Sequence, residues 1–518
     1  MQQAPLPAES GSRSLTLLLL VSILLPPAGL ILLWRRGDIE TGKKAFGTLG
    51  IVILSAAYAM LIFGPSLSVG DGTSEDHYAE LEQHRARQQA AAARTPTGGP
   101  DQNAETANAN TATGPSMPPP SDAVATSPTK PARNYWTDFR GPSRDGRYDE
   151  AEINTRWPSG GLPRLWSQPV GGGYASFVVA EGRAFTIEQR RNKEVVAAYD
   201  VETGREMWTH AYEAEFKESM GGDGPRATPT WNEGRIYSIG ALGDLRCLDS
   251  KTGKLAWSKN ILADNAAQNL QWGVSGAPLV VDDKVIVVPG GPSGKSVVAY
   301  NKLTGARVWS SLNDRSSYTS PMLVTLSGRR QVLVVTGTRV AGLEAEGGSL
   351  LWDFPWDVPN VANIAQPVIV DANRFIISAG YGKGAALVEV TRSGNSFSAV
   401  KVWENVSMKN KFNSSVFHDG YLYGLDEGIL TCLDVQTGER KWKGGRYGYG
   451  QLLLANGHLI VITEEGELVL LRATPDKQDE LAKFEAIQGK TWNYPAIAGG
   501  RLLVRNQTQM ACFDLSGR

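Results

Sequence analysis

The chain has 518 residues, 52 of them Lys or Arg and 53 Asp or Glu. That length admits several domains or one large repeat array, and the balanced charge leaves no basic footprint for nucleic acid. Its 57 glycines and 14 tryptophans suit a turn-rich β protein better than a helical one.

After a polar tail (residues 1–13), Ser14 to Trp34 is apolar apart from small polar residues and an interruption at Pro26-Pro27. Phe46 to Phe63 is a second apolar run. Both approach the length that spans hydrocarbon, so residues 14–64 are expected to form two transmembrane helices. Arg35, Arg36, Lys43 and Lys44 lie in the loop between them, and the positive-inside bias puts that loop in the cytoplasm. A cleaved signal peptide over Ser14 to Leu33 suits the sequence less well, because Arg35-Arg36 follows the apolar run and Arg13 alone forms the basic head. Residues 65–133 are expected to be a disordered linker. Asp76 to Ala93 can form a short helix, but Thr95 to Lys130 is Ala, Pro, Thr, Ser, Asn and Gly with almost no large apolar side chain to bury.

A folded domain is expected over 134–518. It opens with Trp136-Thr137-Asp138-Phe139-Arg140-Gly141-Pro142-Ser143-Arg144-Asp145-Gly146, turn chemistry with two aromatic anchors that should pack on one end of the domain. Then a pattern recurs: D-x-x-T-G-x-x-x-W. Asp249 to Gly253 leads to Trp257, Asp200 to Gly204 leads to Trp208, Asn301 to Gly305 leads to Trp309, and Asp434 to Gly438 leads to Trp442. Looser copies run from Glu344 to Trp352 and from Glu389 to Trp403. In each, the Asp and Thr can hydrogen-bond the turn backbone while the Gly accepts positive φ. Between copies the sequence reads as short strands separated by turns such as Asn232-Glu233-Gly234, which makes four strands per unit.

Counting units decides the architecture. Trp166, Trp208, Trp257, Trp309, Trp352, Trp403 and Trp442 mark seven, and Phe484 fills the slot in a degenerate one. The last unit, at Phe513 to Gly517, has no Trp after it, and Leu165-Trp166 has no turn motif before it. The two fragments complete each other. The expected fold is all-β, an eight-bladed β-propeller of four-stranded blades whose first strand closes the last sheet. Cys247, Cys432 and Cys512 occupy one equivalent slot and read as small buried side chains.

This repeat resembles the pyrroloquinoline-quinone (PQQ) propeller repeat, found in quinoprotein alcohol dehydrogenases and in the BamB proteins of bacterial outer-membrane assembly. The resemblance implies that the Trp positions, with Phe484, dock each blade on its neighbour. The whole chain is similar to membrane-anchored bacterial PQQ-repeat proteins that begin with an apolar hairpin and a low-complexity tether. These also carry a Phe-Arg-Gly-Pro-x-Arg-Asp-Gly stretch like Phe139 to Gly146. It implies a multi-pass protein of the bacterial inner membrane, two spans, with the propeller on the periplasmic side.

In a propeller the innermost strands line a central channel. The segments just before them bring Tyr174, Arg226, Trp272, Tyr318, Asn363, Lys411, Asn413, Tyr449 and Trp492 to its mouth. Flat rings and cations there suit an anionic or planar ligand, or a segment of an envelope protein. No catalytic residue and no metal site is assigned. There is no adjacent Cys-Cys pair, no haem motif, and no paired-histidine spacing among the 5 histidines. Glu188, Asp223, Asn363 and Asn413 are the oxygen ligands available should a calcium be held. The favoured expectation is a membrane-tethered, non-catalytic binding or scaffold propeller with no cofactor. The alternative implied by the resemblance is a PQQ- and calcium-dependent oxidoreductase.

Overall fold

The computed structural model describes residues 33–34, 44–45, 48–49, 73–94, 136–358 and 363–517. The predicted spans therefore lie almost wholly outside the described residues, as does most of the predicted linker. Among the described residues no helix is long and apolar enough to cross a membrane. The expected placement as a two-span inner-membrane protein, with its propeller periplasmic, is corrected on that finding. The long helix that does form, Glu75–Arg94, is polar, and it lies in one compact unit with the propeller. Its one buried stripe faces protein: Tyr78 and Leu81 are buried, and Arg85 pairs with Glu206 of the propeller.

The propeller has eight sheets. Blades 1 to 7 take residues 178–213, 230–260, 279–311, 322–355, 368–405, 416–446 and 451–485 in order, and blade 8 takes 496–514. Blade 8 is completed by the strand Arg164–Pro169, which pairs antiparallel with Gln509–Asp514. The ring thus closes as the split repeat requires. Middle strands are buried on both faces, so they read as continuous apolar runs: in Lys193–Asp200 every residue from Glu194 to Tyr199 is buried. The outermost strand, such as Glu206–Glu213, alternates half-buried and exposed residues because only one face meets a neighbour. The core lies between blades. One layer, for example, joins Val178, Phe185 and Val196 of blade 1 to Ile236 and Leu248 of blade 2.

The repeat motif builds the joints. Asp200 Oδ1 accepts from Glu202 N, Thr203 N and Thr203 Oγ1, and Asp249, Asn301 and Asp434 repeat that pattern. The turn glycines Gly204, Gly253, Gly305, Gly348 and Gly438 all have φ near +70° to +75°. Each lies beneath the tryptophan of the preceding blade. A Cβ on Gly204 would sit 2.6 Å from the Trp166 ring, and one on Gly305 would sit 2.8 Å from Trp257. The indole N–H then donates to a carbonyl of the same turn: Trp166 to Val201, Trp208 to Ser250, Trp257 to Lys302 and Trp403 to Val435, all at 2.9–3.0 Å. A register shift near the ring's position in the outer strand pair of every blade re-aims the side chain toward its neighbour. Blade 5 has a long hairpin, Gly384–Ser393 with Ser396–Asn405, in place of the turn motif. Trp352, which faces it, donates instead to Gln331 of its own blade.

The opening segment does more than pack on an end. It runs through the channel. Trp136 O accepts from Val179 of blade 1, and Thr137 O accepts from Trp231 of blade 2. Arg144 donates to Ala277 O and Pro278 O beside blade 3 and to Pro321 O beside blade 4. Arg140 reaches Ser415 O beside blade 6, and Arg147–Tyr148 adds a parallel strand to the inner edge of blade 7. Both arginines are almost fully buried, which pushes their guanidinium pKa values down. The segment is a plug, and the channel behind the mouth is closed.

Two outcomes are expected from these contacts. Trp309→Ala removes a buried ring from the joint with Gly348 and should destabilise the propeller by about 3–5 kcal/mol in chemical denaturation; a change below about 1 kcal/mol would mean the rings do not hold the joints. Arg144→Met takes the guanidinium from the carbonyls of Ala277 and Pro321 and from Asp138, and should destabilise the propeller by about 3–5 kcal/mol, as breaking a buried charged network does, with a denaturation midpoint equal to wild type as the contrary result.

Candidate functional site

The segments that enter the inner strands pass the channel mouth, and those of blades 1 to 4, 6 and 7 then meet the plug. The mouth is therefore a blind funnel with a cavity of about 380 Å³. Its wall includes Tyr174, Arg226, Trp272, Tyr318, Lys411, Phe412 and Trp492, and Phe139 of the plug lies with Tyr494 at its base. The rings contact one another. Tyr174 stacks on Trp492 with centroids 5.4 Å apart, Phe412 lies 4.9 Å from Trp492, and Trp272 lies 5.8 Å from Tyr318. Phe139 meets Tyr494 edge-on at 5.1 Å.

Two of the residues that line the cavity are cations. Lys411 Nζ lies 4.8 Å from the Tyr449 ring, 5.0 Å from Tyr381 and 5.5 Å from Phe412, and it is 3.3 Å from the Tyr449 hydroxyl. Among the described residues it forms no ion pair. Arg226 lies 4.5 Å from the Phe216 ring and 5.6 Å from Tyr174, and it donates to the carbonyls of Gly222 and Gly224. Burial pushes its pKa down to about 10, against the pull of Tyr174 and Glu218. It remains a cation at neutral pH. Glu464 orients the opposite wall: one oxygen accepts from Trp492 Nε1 at 2.8 Å, the other from Tyr449 N at 3.1 Å. The loop at Gly221 overhangs the mouth, its carbonyl accepting from Tyr174 Oη, with Met220 exposed beside it.

Of the nine residues expected at the mouth, six line the cavity: Tyr174, Arg226, Trp272, Tyr318, Lys411 and Trp492. Tyr449 stands behind Lys411 and supports it. Asn363 and Asn413 are elsewhere in function. Asn363 is buried and donates to Thr336 O and Trp356 O, while Asn413 accepts from Asn410. Phe139, Met220, Gly221, Tyr381 and Phe412 were not anticipated. Phe412 had a signal, since it adjoins Lys411 in an aligned segment. Phe139 had none, because nothing local says that its segment threads the channel.

The four oxygen ligands expected of a calcium site have partners within the chain. Glu188 pairs with Arg190 and accepts from Gly171 N and Tyr199 Oη. Asp223 accepts from Glu218 N. Asn363 is bound through its amide nitrogen and Asn413 through its oxygen, and among the described residues no group of three or more His, Cys, Asp or Glu could hold a metal. The three thiols are buried on separate blades, and burial pushes those of Cys432 and Cys512 up to about 12, which makes them poor nucleophiles at neutral pH.

Comparison with known proteins agrees with this architecture. A family profile described as outer membrane protein assembly factor BamB matches residues 191–444. The chain is 22% identical over 324 residues to the outer membrane protein assembly factor BamB of Bordetella pertussis, covering 58% of this chain and 73% of that protein. It is 30% identical over 196 residues to the quinohemoprotein alcohol dehydrogenase ADH-IIG of Pseudomonas putida, covering 35% of this chain but 25% of that enzyme. Among solved structures, the quinohemoprotein alcohol dehydrogenase of Comamonas testosteroni superposes with a TM-score of 0.55 at 14% identity, over 74% of this chain and 81% of that one. BamB of Moraxella catarrhalis does so with a TM-score of 0.50 at 15% identity, over 69% of this chain and 98% of that one. The chain thus shares its propeller fold with BamB and the quinohemoprotein alcohol dehydrogenases, and its repeat is similar to theirs.

Proposed function

We propose that this propeller is a non-catalytic binding module of the cell envelope, whose funnel receives an aromatic or acidic segment of a partner protein. The observation that carries the reading is Lys411: a cation held among three rings, with no carboxylate partner among the described residues, at the wall of an aromatic cavity. Such a group offers charge to an incoming acid while the rings offer flat apolar area, the pairing on which interface anchors rely. The similarity to BamB, along nearly three quarters of the Bordetella protein, supports an envelope partner. The similarity to quinohemoprotein dehydrogenases raises PQQ-dependent oxidation as the second reading, and the pairing of Glu188 with Arg190 and of Asp223 with Glu218 N weighs against it.

A photocrosslinking residue at Met220, exposed on the rim, should capture a defined envelope protein in cells of the source organism. Lys411→Ala with Trp272→Ala should weaken that capture about tenfold or more, equivalent to at least about 1.4 kcal/mol, and raised salt should weaken it in the parent protein. Capture unchanged by the double substitution would place binding elsewhere. Purified protein supplied with PQQ and calcium should not reduce a dye acceptor with alcohols; turnover in that assay would establish the second reading.

A further inference from the structure

The helix Glu75–Arg94 docks by one stripe. His77, Tyr78, Leu81, His84, Arg85 and Gln88 recur at helical spacing and share a face. Arg85 binds Glu206 of blade 1 through Nε and Nη2 at 2.7–3.0 Å. Gln88 Nε2 donates to Gln168 Oε1 at 2.8 Å, in the strand that closes blade 8, and His84 Nε2 lies 3.1 Å from the same oxygen. His77 Nε2 lies 2.8 Å from Val170 O. The helix therefore bridges the joint where the ring closes. Tyr78 and Leu81 are its buried apolar side chains and the other named contacts are polar, an interface of the kind that can release.

The segment beneath it is Val170-Gly171-Gly172-Gly173-Tyr174. Three consecutive glycines have wide backbone freedom where nothing holds them, and they end in Tyr174, a wall of the cavity; within the propeller Gly172 exchanges backbone hydrogen bonds with Gln189, and Tyr174 N donates to Pro225 O. From inside the propeller, buried Arg505 donates to Gly171 O at 2.8 Å and to Gly173 O at 3.4 Å, and Glu188 accepts from Gly171 N at 3.0 Å. From outside, His77 meets Val170 O, and Thr73 lies so close that a Cβ on Gly172 would be 3.0 Å from its hydroxyl. A charge chain joins the two sides: Arg190 contacts both Glu188 and Glu206, and Arg85 of the helix binds Glu206 as well.

The geometry points to the Glu75–Arg94 helix as a positioning strap that, docked across the ring closure, fixes the triple-glycine segment and with it the Tyr174 wall of the funnel. Its consequence for binding rests on the funnel being the partner site. By linkage, a partner packed on Tyr174 tightens the helix, and a pull that frees the helix loosens the funnel.

The test is hydrogen exchange on the full chain. In Arg85→Glu, which sets a carboxylate against Glu206, amides of the helix and of residues 171–174 should exchange about tenfold faster or more, while those of 279–281 in blade 3 keep their wild-type rates. Arg85→Lys should restore protection. Should Arg85→Glu leave the helix protected, the triple variant Tyr78→Ala, Leu81→Ala, Arg85→Ala releases it and is read in the same way. A freed helix with wild-type exchange at 171–174 overturns the proposal, and so does a wild-type helix that already exchanges as free chain. Faster exchange at 171–174 together with failure of the Met220 crosslink would keep the strap and remove the funnel as the partner site.

Discussion

Everything in the ring depends on one contact, an indole laid on a glycine. The glycine must take positive φ to turn the chain, and it must lack a Cβ for the ring of the previous blade to come down on it. One residue type satisfies both demands. The aspartate and threonine that rigidify the turn also hold its carbonyl in place for the indole N–H. The joints made by Trp166, Trp208, Trp257, Trp403 and Trp442 combine apolar burial with a directed hydrogen bond, while that of Trp309 rests on burial. Where the turn is missing, at blade 5, the buried indole N–H of Trp352 is satisfied within its own blade rather than left unpaired. Where the tryptophan is missing, Phe484 packs on Gly161 and meets Trp157 and Phe513 edge-on.

A closed ring leaves inner strand edges facing an axial channel, with backbone groups in need of partners. The plug supplies them. Trp136 and Thr137 give carbonyls, and Arg140 and Arg144 give donors, so a few residues satisfy edges from blades far apart in sequence. Burying two guanidinium groups is costly, and the fan of carbonyl acceptors around Arg144, with Asp138 beside it, offsets that cost. The same plug defines the floor of the funnel. Structural closure and the shape of the candidate site are one feature, and Phe139 belongs to both.

The helix Glu75–Arg94 changes how the region before the propeller is understood. Its composition is polar, and read locally it is part of a spacer. In the folded chain its stripe finds Glu206, Gln168 and Val170, groups contributed by the two blades that meet at the ring closure. The closure is thereby covered from outside while the strand Arg164–Pro169 completes it from within the sheet.

Much was legible from local chemistry. The D-x-x-T-G turn and the spaced aromatic ring are short-range patterns, and their number and split ends determine eight blades and closure, because a sheet edge must be paired. Six of the nine mouth residues followed from the same repeat register, since equivalent positions in a ring point to one axis. The remainder depended on contacts between residues far apart in sequence. Asn363 and Asn413 share that register, but Asn363 turns to neighbouring backbone carbonyls and Asn413 to the Asn410 side chain, a choice made by packing. Phe139 reaches the funnel floor, and Arg85 its carboxylate, only when blades 1 to 8 have assembled around them. The sequence determined the ring because its code is local and repeated; tertiary structure alone decided the plug, the strap and the funnel wall, because each is a single, unrepeated segment whose partners lie far away in sequence, as Phe139 lies from Tyr494.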